Sequence, residues 1–220
     1  MTSVQLLCRL KGQVLVVVAY LAFLSVGYSA GSVQVRATVL PSYTFLAAQV
    51  LTGLFMLWCH FKCTLANPGF VPITANSLSA PLDAGLSFNP VCVSCKVVKP
   101  PQAHHCQVCN RCVYRRDHHC PWVNNCIGQY SQKPFVLFLL YGSLYHCLSL
   151  YTLLTDLSSQ PDLSLSSALV TATALSALAM LLWPLAHQLY NIYFNLSGVD
   201  RLQRQFTRRV LLFRGPSRRM

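Results

Sequence analysis

Four long apolar stretches divide the chain. No Asp, Glu, Lys or Arg occurs between Lys11 and Arg36, between Arg36 and Lys62, between Lys133 and Asp156, or between Asp162 and Asp200. A helix that crosses a bilayer needs roughly 20 mostly apolar residues. Each stretch is long enough, so spans are predicted at residues 13–31, 41–61, 134–155 and 168–193. Buried core helices are the alternative, but four such windows in 220 residues argue against it. Arg9 and Lys11 ahead of the first run would also suit a signal peptide. Cleavage after Ala30 would then put Tyr28 where a small residue is wanted, so a retained span is expected.

Between the spans the pattern loses its period. Ser29 to Val39 is predicted as a short connection, and Pro41 opens span two, where a first-turn N–H needs no partner. Asn67-Pro68-Gly69 is a turn signal. Residues 70–90 are predicted as loop and 156–167 as a second short connection. Pro184 is expected to kink span four. Val199, Leu202, Phe206, Val210 and Phe213 then recur at steps of three and four, with Arg201, Arg204, Arg208 and Arg209 between them. That pattern predicts a basic amphipathic helix lying on a leaflet, a disordered basic tail being the alternative. No internal repeat is apparent.

Composition agrees with membrane residence. Hydrophobic residues make up 54% of the chain and charged residues 10%, against about 25% in soluble domains. Of the 17 Lys and Arg, only Arg36 falls between spans one and two and none between spans three and four, so 16 lie on one side. The positive-inside rule places both termini and the middle loop in the cytosol. The net charge of +12 therefore reflects topology and anionic lipid rather than nucleic acid. The expected organisation is spans one and two over residues 1–66 and a cytosolic loop over 67–133 with a cysteine-rich core at 91–130. Spans three and four follow over 134–195, and a basic tail over 196–220.

The middle loop carries the candidate chemistry. Cys92, Cys95, Cys106, Cys109, Cys112, Cys120 and Cys126 lie close together with His104, His105, His118 and His119. A reducing cytosol disfavours disulfides. Cys92/Cys95, Cys106/Cys109 and Cys109/Cys112 have the C-x-x-C spacing that suits tetrahedral zinc, and metal would supply the folding energy that so short a segment lacks. Two four-ligand sites use eight of these eleven side chains. A surplus Cys beside a surplus His makes a nucleophile and base rather than a ligand set. The run Arg116-Asp117-His118-His119-Cys120-Pro121-Trp122 offers such a trio: an imidazole able to take a thiol proton and a carboxylate able to orient it. On spacing alone, the alternative that these are only zinc ligands and their neighbours stays open.

At these residues the chain resembles the DHHC palmitoyltransferase family. The resemblance rests on Cys92-x-x-Cys95, Lys99-Pro100, His104-His105-Cys106-x-x-Cys109-x-x-Cys112, Asp117-His118-His119-Cys120-Pro121-Trp122-x-Asn124-Asn125-Cys126-x-Gly128 and Phe135. It implies two structural zinc sites, one of Cys92, Cys95, His105 and Cys112, the other of Cys106, Cys109, His119 and Cys126. It implies Cys120 as the acyl-accepting nucleophile, His118 as base and Asp117 as its partner, with His104 structural or at the surface. Palmitoyl-CoA would be the acyl donor, cysteine-bearing proteins the acceptors, and the endoplasmic reticulum or Golgi membrane the location. Lys133, Arg115 and Arg116 are candidates for the CoA phosphates, a solvated basic face being the alternative. The fold expected is an all-α membrane protein of four transmembrane helices, with a cytosolic cysteine-rich two-zinc domain between spans two and three. Three positions depart from the family pattern: Asn67 replaces the acidic residue of an Asp-Pro-Gly turn, Ser197-Gly198-Val199-Asp200 stands for Thr-Thr-x-Glu, and Ser131 replaces an Asn.

Two rival readings are weaker. A membrane-anchored zinc module of RING type would need a further C-x-x-C pair after Cys126. A transporter would need ionisable residues along its spans, and only His60, His146 and His187 occur there. Cys59, Cys63 and Cys147 are expected to be packing residues, with Cys8 and Cys63 also candidates for juxtamembrane acylation.

Overall fold

The computed structural model describes residues 3–36, 40–73, 91–159 and 165–213. Its helices are α1 (Ser3–Arg36), α2 (Leu40–Leu65), α3 (Gln132–Ser159), α4 (Leu165–Tyr193) and α5 (Gly198–Phe213). Among the described residues, four helices are long and apolar enough to cross a membrane: Leu10–Ser29, Tyr43–Leu65, Gln132–Thr155 and Leu165–Tyr193. The charge-free windows locate all four; α1, α2 and α3 overrun theirs, and α4 stays inside the one between Asp162 and Asp200. A charge ends an apolar window without ending a helix. Lys62 lies in the last turn of α2, and its Nζ sits 4.7 Å above the Trp58 ring, keeping its stem on the apolar face. α4 runs through Pro184. Most of the predicted loop at 70–90 lies outside the described residues, as do 160–164 of the second connection and residues 214–220 of the tail.

The helices turn apolar side chains outward. Val14, Leu21, Leu54, Phe55, Leu169 and Trp183 are each half or more exposed, which suits a lipid-facing surface and not a buried core helix. Cys147 is exposed on α3 and packs no core, contrary to expectation, whereas Cys59 and Cys63 are buried. α3 is the hub and packs against α1, α2 and α4. Gly142 allows this closeness, since a Cβ there would stand 3.0 Å from Leu181 and 3.2 Å from Met56. Polar links then fix the register. Gln49 donates to Ser149 Oγ at 2.9 Å, and the Tyr145 hydroxyl donates to the Phe23 carbonyl at 3.4 Å.

The cysteine-rich region is not helical. It folds as three antiparallel hairpins: β1 (Val91–Cys92) with β2 (Val97–Val98), β3 (Ala103–Cys106) with β4 (Arg111–Tyr114), and β5 (His118–Cys120) with β6 (Asn125–Ile127). Strands this short show no alternation along a sequence, so none was expected. The end of α2 is tied to them. Asn67 Oδ1 accepts from the N–H groups of Gly69 and Phe70 at 3.0 and 2.8 Å, the turn that an Asp would also make. Gly69 takes a positive φ of 104° in this turn. The chain then bonds to the second hairpin through Val71 N–H to Cys112 O, 2.9 Å, and Tyr114 N–H to Gly69 O, 2.8 Å. Asn125 of β6 caps the helix, its Nδ2 reaching the carbonyls of Cys63 at 2.9 Å and Ala66 at 2.8 Å.

Candidate active site

The three hairpins repeat every 14 residues, a periodicity the sequence reading missed. Cys92, Cys106 and Cys120 occupy one position and pair across their hairpins with Val97, Arg111 and Asn125. Lys96, Asn110 and Asn124 all take left-handed φ, of 54°, 53° and 48°, at the equivalent place in each turn. The cross-strand pairs Val91–Val98, His105–Cys112 and His119–Cys126 are equivalent too. The repeat hides in the sequence because backbone geometry is kept while residue types change.

Each metal cluster combines the knuckle of one hairpin with the His–Cys pair of the next. Cys92, Cys95, His105 and Cys112 converge in one group, and Cys106, Cys109, His119 and Cys126 in another. In the first, the three sulfurs lie 3.6, 3.3 and 4.0 Å from His105 Nδ1. In the second they lie 3.8, 3.4 and 3.7 Å from His119 Nδ1, and Cys109 and Cys126 are 3.6 Å apart. A tetrahedral ion with bonds of about 2.3 Å to sulfur and about 2.0 Å to nitrogen requires separations near these, roughly 3.6 Å S–N and 3.8 Å S–S. The electrostatics fit the same picture. Hydrogen bonds from Cys109 and Cys126 hold the Cys106 thiol far below its ordinary range, and the Cys106 and Cys109 sulfurs push Cys126 far above it. A second thiolate in the cluster requires a cation.

The third hairpin breaks the rule in one respect. Val123, fully buried, stands where Cys95 and Cys109 stand in the other two, and the chain passes into α3 without a further His–Cys pair. Cys120 thus has the position of a ligand without the companions. Its side chain is buried among Cys63 of α2, Phe135 and Leu139 of α3, Leu185 of α4, and Val123 and Ile127 of its own hairpin.

Beside it, His118 Nδ1 donates to Asp117 Oδ2 at 2.7 Å. Burial opposes the charge on His118, but the Asp117 hydrogen bond, followed by contributions from Cys120, outweighs it and pushes the pKa up to about 9. Burial likewise opposes the charge on Asp117, yet its donors hold the carboxyl below the usual carboxylate range. Beyond His118, those donors come from elements that no local motif reveals. Gln188 Nε2 reaches Asp117 Oδ2 at 2.7 Å and Asn191 Nδ2 reaches Oδ1 at 2.9 Å, both amides being buried. The Gly198 N–H also bonds to Asp117, and a Cβ on Gly198 would run into Asp117 Oδ1. The sequence signal was two amides, at i and i+3 on one helix face, in a span without Asp, Glu, Lys or Arg.

His60 supports the same hairpin from α2. Its Nε2 donates to the Trp122 carbonyl at 3.0 Å, which leaves Nδ1 to accept from the Tyr20 hydroxyl at 2.6 Å. His104 bonds to Asp200 at 3.3 Å and so joins the second hairpin to α5. Ser197 and Asp200 cap each other at the start of α5: Asp200 N–H to Ser197 Oγ at 3.1 Å and Ser197 N–H to Asp200 Oδ2 at 3.2 Å. Ser131 Oγ donates to the Cys126 carbonyl at 2.9 Å and accepts from the Gly128 N–H at 3.0 Å, closing the entry to α3. Of the three basic candidates, Lys133 is exposed in the first turn of α3 and Arg115 donates to Asn195 at 2.6 Å. The Nε of Arg116 is buried without a partner among the described residues.

Comparison with known proteins fits this geometry. The sequence pattern of the DHHC palmitoyltransferase family matches residues 87–205, more than half of the chain. Probable protein S-acyltransferase 12 of Arabidopsis thaliana is 39% identical over 111 residues, covering 46% of this chain and 38% of its own length. Palmitoyltransferase ZDHHC3-A of Danio rerio is 40% identical over 112 residues, 49% of this chain and 32% of its own. Palmitoyltransferase ZDHHC3 of Homo sapiens is 41% identical over 99 residues, 43% of this chain and 32% of its own. The chain thus spans about a third of the length of these relatives.

Proposed function

Because this chain belongs to the DHHC palmitoyltransferase family, we propose that it is a protein S-acyltransferase whose Cys120 carries the acyl group between a long-chain acyl-CoA and a protein cysteine. The observation that carries this reading is the third hairpin. Its Cys120 is a knuckle cysteine without a metal partner set, placed beside a His118–Asp117 pair and against the apolar ends of three helices.

The chemistry follows from those positions. His118 holds the proton of the Cys120 thiol, leaving a thiolate to attack the thioester carbonyl of palmitoyl-CoA. A bond forms from Cys120 Sγ to the carbonyl carbon, the carbon–sulfur bond to CoA breaks, and His118 returns the proton to the CoA sulfur. In the second half a substrate thiol gives its proton to His118 and attacks the same carbon, and Cys120 Sγ leaves and is reprotonated. Asp117, held by Gln188, Asn191 and Gly198, keeps His118 Nε2 turned to the sulfur and balances its charge. Zinc bound to the two Cys₃His sets would be structural, four protein ligands leaving no open position. The acyl chain would run from Cys120 along α3 toward a cavity of about 230 Å³ lined by Phe23, Gly27, Gln49, Gly53, Leu57 and Tyr145. Each CH₂ buried there contributes about 0.8 kcal/mol. Lys133 and Arg116 suit the CoA phosphates better than Arg115, which Asn195 already engages. The termini and the hairpins would face the cytosol of an endoplasmic reticulum or Golgi membrane, the side on which 16 of the 17 Lys and Arg fall.

A two-step transfer assay tests the reading. Purified protein is loaded with labelled palmitoyl-CoA, freed of excess donor and mixed with a cysteine-bearing peptide. The label is expected to pass to the peptide in a thioester that neutral hydroxylamine cleaves, and Cys120→Ala is expected to pass none. Equal transfer by Cys120→Ala would refute it.

A further inference from the structure

α5 begins where a membrane-length helix ends. α4 stops at Tyr193, with four residues between it and Gly198, and its exit is marked by exposed Tyr190, Tyr193 and Phe194, the aromatic rings that favour a membrane–water boundary. α5 is thereby delivered to the interface. Its apolar stripe is left open by the described residues: Leu202 is 61% exposed and Phe206 70%. Arg204 is exposed on the opposite side of the helix, and the sequence adds Arg208 and Arg209 one turn on. An apolar stripe backed by arginines matches an acidic leaflet: acyl chains for the stripe and anionic headgroups for the guanidinium groups.

The fixed end of α5 makes this more than an anchor. Gly198 bonds to Asp117 through its backbone N–H, and the contact is too close for a side chain at that position. Asp200 bonds to His104 and closes the Ser197 cap. Arg201 Nη1 donates to His187 Nδ1 at 2.6 Å, and its guanidinium lies 5.9 Å from the Tyr190 ring, pinning the first turn to α4. A shift of α5 as a body therefore moves a donor of the Asp117 carboxylate.

We propose that α5 docks its Val199–Leu202–Phe206 stripe into a leaflet bearing acidic headgroups, and that this docking holds Gly198 against Asp117 and so couples acidic lipid to the rate at which Cys120 is acylated. The coupling rests on the acyltransferase reading above; the docking does not.

The test places the full chain in nanodiscs of phosphatidylcholine alone or of phosphatidylcholine with phosphatidylserine, in two arms. In the first, Phe206→Trp reports insertion through quenching by lipids brominated in the upper acyl chain, read against the wild-type tryptophans. Quenching at residue 206 is expected to rise with phosphatidylserine. Arg204→Glu is expected to lower it at least fivefold, the factor that ~1 kcal/mol for one lost basic side chain amounts to, since the variant also adds a negative charge. In the second arm the initial rate of acylation by palmitoyl-CoA is expected to be several-fold higher with phosphatidylserine. That gain should vanish in Arg204→Glu and in Leu202→Asn/Phe206→Asn, while both variants acylate like wild type in detergent. No quenching in either lipid would overturn the docking and leave a protein as the occupant of the stripe. Quenching without a lipid-dependent rate would overturn the coupling. An absence of acylation in every lipid and in detergent would refute the acyltransferase reading and the coupling with it, while the quenching arm still decides the docking.

Discussion

At the scale of single residues, the site turns on one valine and two amides. Val123 stands where the other two knuckles carry a thiol, and so leaves Cys120 without the companions of a ligand set. Gln188 and Asn191 give Asp117 two of its donors from inside an apolar helix. Burying those amides beside a carboxylate is favourable only because donor and acceptor meet, since each left unpaired costs about 1–3 kcal/mol. Replacing Gln188 with Leu should free Asp117 to shift, and His118 with it. The expected outcome is a fall in the acylation rate on the order of 10²-fold, within the range of general acid–base assistance, with both zinc ions retained. Single-turnover labelling with palmitoyl-CoA and a metal assay on the same sample check it; an unchanged rate would remove Gln188 from the site. The Asp117–His118–Cys120 trio was legible in the sequence because it falls within four residues. The amides were not, because 71 and 74 residues separate them from Asp117 and only the packing of α4 against the hairpin brings them together.

At the scale of elements, we propose that the hairpins depend on metal bound at their Cys₃His clusters and that the helices do not. β1 to β6 hold only two to four residues each, too little paired backbone to stand alone. Their cores are small groups such as Val71, Cys92, Val97, Ala103 and Cys112. Cys95→Ser should therefore cost one zinc ion and open the first hairpin to protease, while helical circular dichroism stays near that of wild type. Global loss of helix in that variant would show that the bundle leans on the hairpins for its own stability. The spans could be read from charge-free windows because a bilayer imposes one long, simple requirement. The hairpins could not, since their order comes from a 14-residue spacing of turns and ligands rather than from hydrophobic alternation. The three departures from the family pattern become intelligible here. Asn67 makes the turn an Asp would make, Ser197 and Asp200 form a capping box, and Ser131 ties β6 to the start of α3.

At the scale of the whole molecule, the three hairpins, with two clusters able to hold metal ions, pack against the helical bundle and turn Cys120 toward it. The cluster around Cys120 draws on α2, α3, α4 and the third hairpin at once, which buries the thiol where the bundle and the hairpins meet. Orientation can be checked directly. Protease added outside sealed microsomes should cut between residues 70 and 90 if that segment faces the cytosol, and full protection would reverse the orientation. The central claim is that the chain carries eight metal ligands and one cysteine in a ligand's position that is not a ligand. Native mass spectrometry of wild type and Cys120→Ala after exposure to palmitoyl-CoA reads both parts on one molecule. Two zinc ions and one hydroxylamine-labile acyl group are expected on the wild type, and two zinc ions with no acyl group on the variant. A variant that loses a zinc ion, or that still carries the acyl group, would contradict that claim.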